Sequence, residues 1–293
     1  MALGAAGALL AVSTGACTGD GDTTTRPAPA ASDSSQGAPD QGATTSRPPA
    51  PPVRATVTAE RAVNPGIRQG VARTADGAGW ILSTNDGLFR VGDGDLEAVQ
   101  AQAAPAIPAE LAAQGYDHVG DVDVDRGILW APLEREDKQA GRQVVARYDP
   151  VTLAFTGARE VPQHHASFVA AADGVVYSTD FFDDDAVTRY RWDGSTLQPL
   201  EPLRMSRKVE RIQGGDVADG ALWLSTDDAD NGLYRVDLAT GEVQSIGSVG
   251  HVAGEGEGID ATALPSGLLH VLVGDDASIG MWLVDLAVTS TPG

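Results

Sequence analysis

"ALWLSTDDADNGLYRVDLATGEV", residues 221–243, joins an apolar run, an acidic break, a second run ending in Asp and a tight turn. The chain says something close to it five times. Gly220 leads this version; the others are "GWILSTNDGLFRVGDGDLEAV" from Gly79, "GILWAPLEREDKQAGRQVVARYDPVTLAFTG" from Gly127, "GVVYSTDFFDDDAVTRYRWDGSTLQPL" from Gly174 and "GLLHVLVGDDASIGMWLVDLAV" from Gly267. The leading glycines are spaced by 48, 47, 46 and 47 residues, an evenness that chance does not maintain. Runs such as "ALWLS" and "LYRVD" have the β-branched and aromatic content of strands and are too short for helices. Between the third and fourth runs stand "DPVTLA", "WDGSTL" and "DLATGE", where Asp bonds its own backbone and Gly supplies a positive φ. One more short strand precedes each leading glycine: "GVART", "GDVDV", "SFVAA", "GGDVA" and "GIDAT". Four strands in about 47 residues is the period of a propeller blade.

The last unit lacks a fourth strand, and "ATVTAERAV", residues 55–63, precedes the first unit with no partner. Placing it on the outside of the last blade closes the ring and removes an exposed edge. The expected architecture is therefore an all-β propeller over residues 55–290, with five four-stranded blades closed by an N-terminal strand. Six blades are the alternative, if the stretch 92–117 holds a degenerate unit. The only short helical turn expected lies in "AIPAELAAQ", 106–114.

The chain begins differently. Residues 2–12, "ALGAAGALLAV", form an apolar run of signal-peptide length, too short to span a bilayer, and "STGAC" leads from it to the single cysteine, Cys17. Residues 1–17 thus read as a lipoprotein-type signal segment with lipidation at Cys17, which has no partner for an internal disulfide. Residues 18–54 contain no aromatic side chain and are dominated by Thr, Ser, Pro, Ala, Gly, Asp and Gln, the composition of a disordered linker. The expectation is an exported monomer, held by its lipid on the outer face of the cytoplasmic membrane, or secreted. A formal charge of −21 argues against nucleic acid and against electrostatic attachment to anionic lipid, and leaves room for a cation. Lys138 and Lys208 are the only lysines among 20 basic residues, the usage of a GC-rich genome such as an actinobacterium's.

Innermost strands of a propeller line its central channel. Aligning them puts Ile67, His118, His165, Gln213 and Glu255 in one register, with Gln69, Gly120, Ser167, Gly215 and Glu257 two positions on. Most are polar or Gly where a buried strand is ordinarily apolar, so they should ring the channel mouth. The turns between second and third strands collect on the same face and carry Asn85, Asp86, Glu134, Glu136, Asp180, Asp183 to Asp185, Asp227, Asp228, Asp230, Asp275 and Asp276. Carboxylates at this density suit Ca²⁺, although Asp and Asn are also ordinary turn residues. His118 and His165 on successive inner strands, near Asp121 and Glu257, could bind a metal or act as acid and base. His164 and His165 point to opposite sides of a strand, so only one can face the channel. The glycines of "GEGEGID", 254–260, allow close approach at the axis. Arg204, Arg207, Lys208 and Arg211 form a basic cluster that could hold an anion or neutralise neighbouring carboxylates. Trp80, Trp130, Trp223 and Trp282 fall in second or third strands and are expected in the core. No nucleophile elbow, phosphate loop, dinucleotide fingerprint or zinc motif is present.

Units such as "LYRVDLATGEV" and "VVYSTDF", together with "EGEGID", resemble the bacterial exported propellers grouped with the TolB-like, phytase-like and calcium-dependent lactonase families. That resemblance implies Ca²⁺ in the channel and, in some members, ester or lactone hydrolysis. Glu257 is the position that would correspond to a metal-holding carboxylate, with Asp121 as the second metal candidate. Two functions follow as expectations. One is a lipid-anchored propeller that binds a small molecule, a cation or a cell-envelope protein through Gln69, His118, Asp121, His165, Gln213, Glu255 and Glu257. The other is a Ca²⁺-dependent hydrolase acting at the same face.

Overall fold

The structure is a computed structural model and describes residues 51–290 other than 65, 136, 138–141, 182–183, 251–253 and 276–279. Lipidation at Cys17 and the linker up to residue 50 lie outside the described residues, as do Glu136, Asp183 and Asp276 among the turn acids. Among the described residues no helix is long and apolar enough to cross a membrane.

Five antiparallel sheets stand in a ring as the blades of a propeller. Strand β1 (Val53–Val63) comes first in the chain and is used last. Blade one is β2 (Gly70–Arg73), β3 (Gly79–Ser83), β4 (Leu88–Gly92) and β5 (Asp95–Ala103). A single helical turn, α1 (Ala109–Ala112), then leads to blade two, whose inner strand is broken into β6 (Tyr116–Val119) and β7 (Asp123–Asp125) against β8 (Ile128–Arg135), β9 (Gln143–Tyr148) and β10 (Phe155–Val161). Blade three has β11 (Ala170–Ala172), β12 (Val175–Ser178) and β13 (Asp184–Trp192), with two short strands, β14 (Leu197–Pro199) and β15 (Leu203–Val209), sharing the edge of β13. Blade four is regular: β16 (Ile212–Ala218), β17 (Ala221–Thr226), β18 (Gly232–Asp237) and β19 (Val243–Ser248). Blade five has β20 (Gly256–Asp260), β21 (Leu268–Asp275) and β22 (Gly280–Ser290), and β1 pairs with β22 from Val53↔Ser290 to Val63↔Met281. The stretch 92–117 holds β5 and α1, not a sixth blade.

Local chemistry explains the repeat. In blades two to four the first two strands meet in turns with two successive positive φ angles: Arg126 (48°) and Gly127 (75°), Asp173 (52°) and Gly174 (77°), Asp219 (52°) and Gly220 (71°). This is the mirror-image turn that matches strand twist, and it phases the 47-residue glycine spacing. Between third and fourth strands, Asp149 accepts the N–H groups of Val151 and Thr152, Asp193 those of Ser195 and Thr196, and Asp237 those of Ala239 and Thr240. The "ST" that ends three second strands is also structural. Ser83 and Ser225 donate to the carbonyls of Gly120 and Glu257 in the next blade, and Ser178 to Phe168 in its own.

Apolar side chains fill the wedges between neighbouring blades. Ile81 and Leu88 pack with Leu129 and Leu133, Trp130 and Val145 with Val176 and Tyr190, Phe168 with Leu222 and Leu224, Trp223 with Leu269 and Leu286, and Leu272 and Leu283 with Trp80. Burying each such aliphatic side chain contributes about 1.5–3 kcal/mol. Trp80, Trp130 and Trp223 are buried as expected, and Trp282 packs half-buried at the same kind of interface.

Candidate functional site

At the axis the inner strands approach too closely for side chains. A Cβ on Gly120 would lie 2.1 Å from the carbonyl oxygen of Ser167, and one on Gly258 2.3 Å from Oδ1 of Asp121. Asp121 fills the space those glycines leave. Its Oδ1 accepts the N–H of Val71 (2.9 Å) and Val122 (3.0 Å), and its Oδ2 those of Gly215 (3.1 Å) and Ile259 (3.2 Å). Its backbone bonds Ser167 and Val169 of blade three, so one residue holds all five blades. Burial pushes its carboxyl well above the usual range, and the four N–H groups offset this in part. Because each oxygen accepts two N–H bonds, those contacts favour the carboxylate form. Asp121, expected to bind ligand or metal, instead spends its acceptor capacity on the fold.

Above this plug lies a cavity of about 210 Å³ to which every blade contributes. Gln69, His118, His165, Gln213 and Glu255, all read as channel-mouth residues, line it together with Ser167. Ile67 does not; it is buried against Val63 and Val71, and Gln69 takes the place in the cavity. Ser167 donates to the carbonyl of Ile212. Glu134, read as a turn acid, sits on β8, is 1% exposed and enters the wall. Its Oε1 accepts the N–H of Ala166 (2.9 Å) and lies 3.1 Å from Nδ1 of His165. The N–H of His165 donates to Asp180 (2.9 Å), while the carbonyl of His164 accepts from the Gln143 amide.

Phe181, in the turn after β12, closes the remaining side, its ring 5.3 Å from that of His165. Sequence reasoning passed over it, although an aromatic in the acidic string "DFFDDD" was a signal. Arg211 fixes this wall. It has φ 56°, its N–H donates to the carbonyl of Phe181 (3.0 Å), its carbonyl accepts from Asp227 (2.9 Å), and its guanidinium lies on the Asp227 carboxylate and 5.2 Å over the Phe181 ring. Two other members of the basic cluster are spent similarly: Arg204 pairs with Asp185 and Arg207 lies over Tyr234.

Glu255 and Glu257 project from one face of the inner strand, as residues two apart do. Glu257 is 3% exposed, with the Glu255 side chain acting on it. Burial, the negative charges of Glu255 and Asp227 and the neighbouring Glu255 side chain push its carboxyl well above the usual range. Glu257 therefore stands behind Glu255 with its acid form favoured.

Among the described residues no group of three or more His, Cys, Asp and Glu side chains is spaced to hold a metal ion. Asp121 has no spare acceptor, Glu257 turns to Glu255, and Glu134 is engaged by Ala166 and His165, whereas Ca²⁺ takes six to eight oxygens.

No protein-family model and no curated protein matches the chain. Solved structures similar to it include the glutaminyl cyclase of Myxococcus xanthus, with a TM-score of 0.61, 15% identity and coverage of 81% of this chain and 99% of that one. The calcium-binding protein regucalcin of Agrobacterium tumefaciens follows at 0.47, 13% identity and 74% and 76% coverage. A gluconolactonase of Xanthomonas campestris stands at 0.46, 15% identity and 82% and 99% coverage. The likeness to the cyclase supports the propeller fold.

Proposed function

We propose that the channel mouth binds a small molecule bearing a primary amine, and that the Glu255–Glu257 pair moves protons on it. The observation that carries this reading is a buried Glu257 two residues from Glu255, whose carboxyl opens on the cavity. Such a pair takes a proton and gives one back. Amide side chains at Gln69 and Gln213 supply both donors and acceptors for an amide or carbonyl group of the ligand, and Phe181 supplies an aromatic face for its ammonium.

Cyclisation of an N-terminal glutaminyl residue is the first reaction to test, because its demands match the cavity's chemistry. The α-amino nitrogen attacks the γ-carbonyl carbon, a C–N bond closes the five-membered lactam, the bond to the amide nitrogen breaks and ammonia leaves. One proton is taken from the attacking amine and one is delivered to the leaving nitrogen; no oxidant, reductant or metal is needed. Glu255, which lines the cavity, takes the proton from the amine and returns one to the leaving nitrogen, and Glu257 behind it exchanges protons with Glu255. The M. xanthus cyclase shares the fold at this identity and contributes the choice of probe, not the assignment.

The same proposal keeps the chain exported, monomeric and tethered through Cys17 and residues 18–54, so that the cavity works outside the cytoplasmic membrane on small molecules or on the exposed ends of envelope proteins. The test is ammonia release from a glutaminyl dipeptide, with calorimetry of methylammonium binding. Glu257→Gln should lower turnover by about 10²–10⁴ with the fold retained. Neither binding nor turnover in the unaltered protein, or full turnover in Glu257→Gln, sinks the reading.

A further inference from the structure

We infer that Asn231 is a positioning residue for Glu255, its buried amide bracketing the peptide groups on either side of that carboxylate. This rests on the acid-pair reading of the cavity. Asn231 lies in the turn between β17 and β18 of blade four, 3% exposed, with φ 47°. Its Nδ2 donates to the carbonyl of Gly254 (2.8 Å) and its Oδ1 accepts the N–H of Gly256 (3.1 Å), both in blade five. In extended backbone the carbonyl before a residue and the N–H after it share one edge, so a single side-chain amide satisfies both as a neighbouring strand would. The carbonyl of Glu255 accepts the N–H of Gly274 (2.8 Å) from its own blade. Glu255 is thus gripped from both edges just where it enters the cavity.

Turn formation alone does not account for this residue. Asp228 already builds the turn, its Oδ1 accepting the N–H groups of Asp230 and Gly232 and its Oδ2 the hydroxyl of Tyr234. The amide of Asn231 contributes nothing to its own turn through these bonds; both reach across to the next blade. A left-handed non-glycine residue is a costly conformation, retained where surroundings over-determine it, and such residues cluster at functional sites. Asn tolerates it better than most, and its amide is the group that Gly would lack.

The test is Asn231→Gly, which suits φ 47° and removes only the amide. With ¹³C-labelled glutamate, Glu255 should show one χ1 rotamer in the unaltered protein and rotamer averaging in the variant. Methylammonium affinity should fall about tenfold in the folded variant, with some loss in thermal midpoint because the Gly254 carbonyl and the Gly256 N–H lose their partner. A Glu255 rotamer that stays single in folded Asn231→Gly, or averaging with undiminished affinity, overturns the inference. Should that variant not fold, Asn231→Asp keeps the acceptor for Gly256 and loses the donor to Gly254; an unmoved Glu255 there is equally fatal. If the unaltered protein neither binds methylammonium nor releases ammonia, the proposed function fails, while the rotamer comparison still decides the role of Asn231.

Discussion

Asp121 shows how much a single side chain can be asked to do in a closed ring. Asp121→Asn replaces an acceptor oxygen with an NH₂ group, leaving two of the four converging N–H groups facing a donor. An unsatisfied buried donor costs about 1–3 kcal/mol, so urea denaturation should show a loss of at least about 2 kcal/mol. Unchanged stability would mean that those N–H groups are satisfied in some other way. The same residue marks where sequence reading runs out. His118, His165, Gln213 and Glu255 were legible as a group because strand register sets which inner positions reach the mouth; in blade one the register misled, since Ile67 is core and Gln69, two positions on, reaches the cavity. Asp121 sits on the same inner path, but its use depends on donors 50, 94 and 138 residues away that only ring closure brings in. Nothing local distinguishes a carboxylate aimed at a cavity from one consumed by backbone. Asn231 was hidden for a related reason: "DNG" reads as a turn, and its partners lie in another blade.

Among the elements, β1 is the one whose placement closes the ring, and its unpaired apolar alternation made that legible beforehand. Its side chains extend the closure. Arg61 of β1 reaches Asp285 in blade five and Asp93 in blade one, and Asp93 also accepts from Arg73 and from the indole of Trp80. Burial would raise the Asp93 carboxyl, but bonds from Arg73, Trp80 and Arg61 outweigh it and bring it down to about 2. A folded value below the unfolded one means stability that is present above about pH 4 and is lost as pH falls through about 2. The partly exposed site keeps this below about 1 kcal/mol. Asp93→Asn should therefore lower the thermal midpoint slightly at pH 7 and leave it unchanged at pH 2; an equal loss at both would assign the effect to shape, not charge. The split edge of blade three was not legible. Pro199 and Pro202 interrupt "LQPLEPLRMSRKV", and a proline cannot donate to a ladder, so β14 and β15 divide the work of one strand.

For the molecule as a whole, the inner strands carry a second set of carboxyls below Asp121. Asp123 accepts the N–H of Ala171, Asp216 that of Ala261 and Asp260 that of Arg73, each reaching the next blade around the ring. Burial raises all three, and repulsion from neighbouring carboxyls adds to it at Asp216 and at Asp123, which is pushed up to about 8. A carboxyl that holds its proton longer when folded contributes stability fully present below its unfolded value, about 4, and that contribution is gone once pH has risen through the folded value. The thermal midpoint should accordingly decline between about pH 4 and pH 8, opposite in sense to the Asp93 effect; a midpoint flat across that window would show the three carboxyls to be ionised throughout. The seam has a mechanical meaning as well. Val53, where the chain enters β1, pairs with Ser290 at the far end of β22, so tension that draws Val53 away from Ser290 loads one end of an antiparallel pair and peels its bonds in turn instead of shearing them together. Pulled apart between these two ends, the ring should unlatch first at β1, like a fuse, while blades one to four are still bonded within themselves.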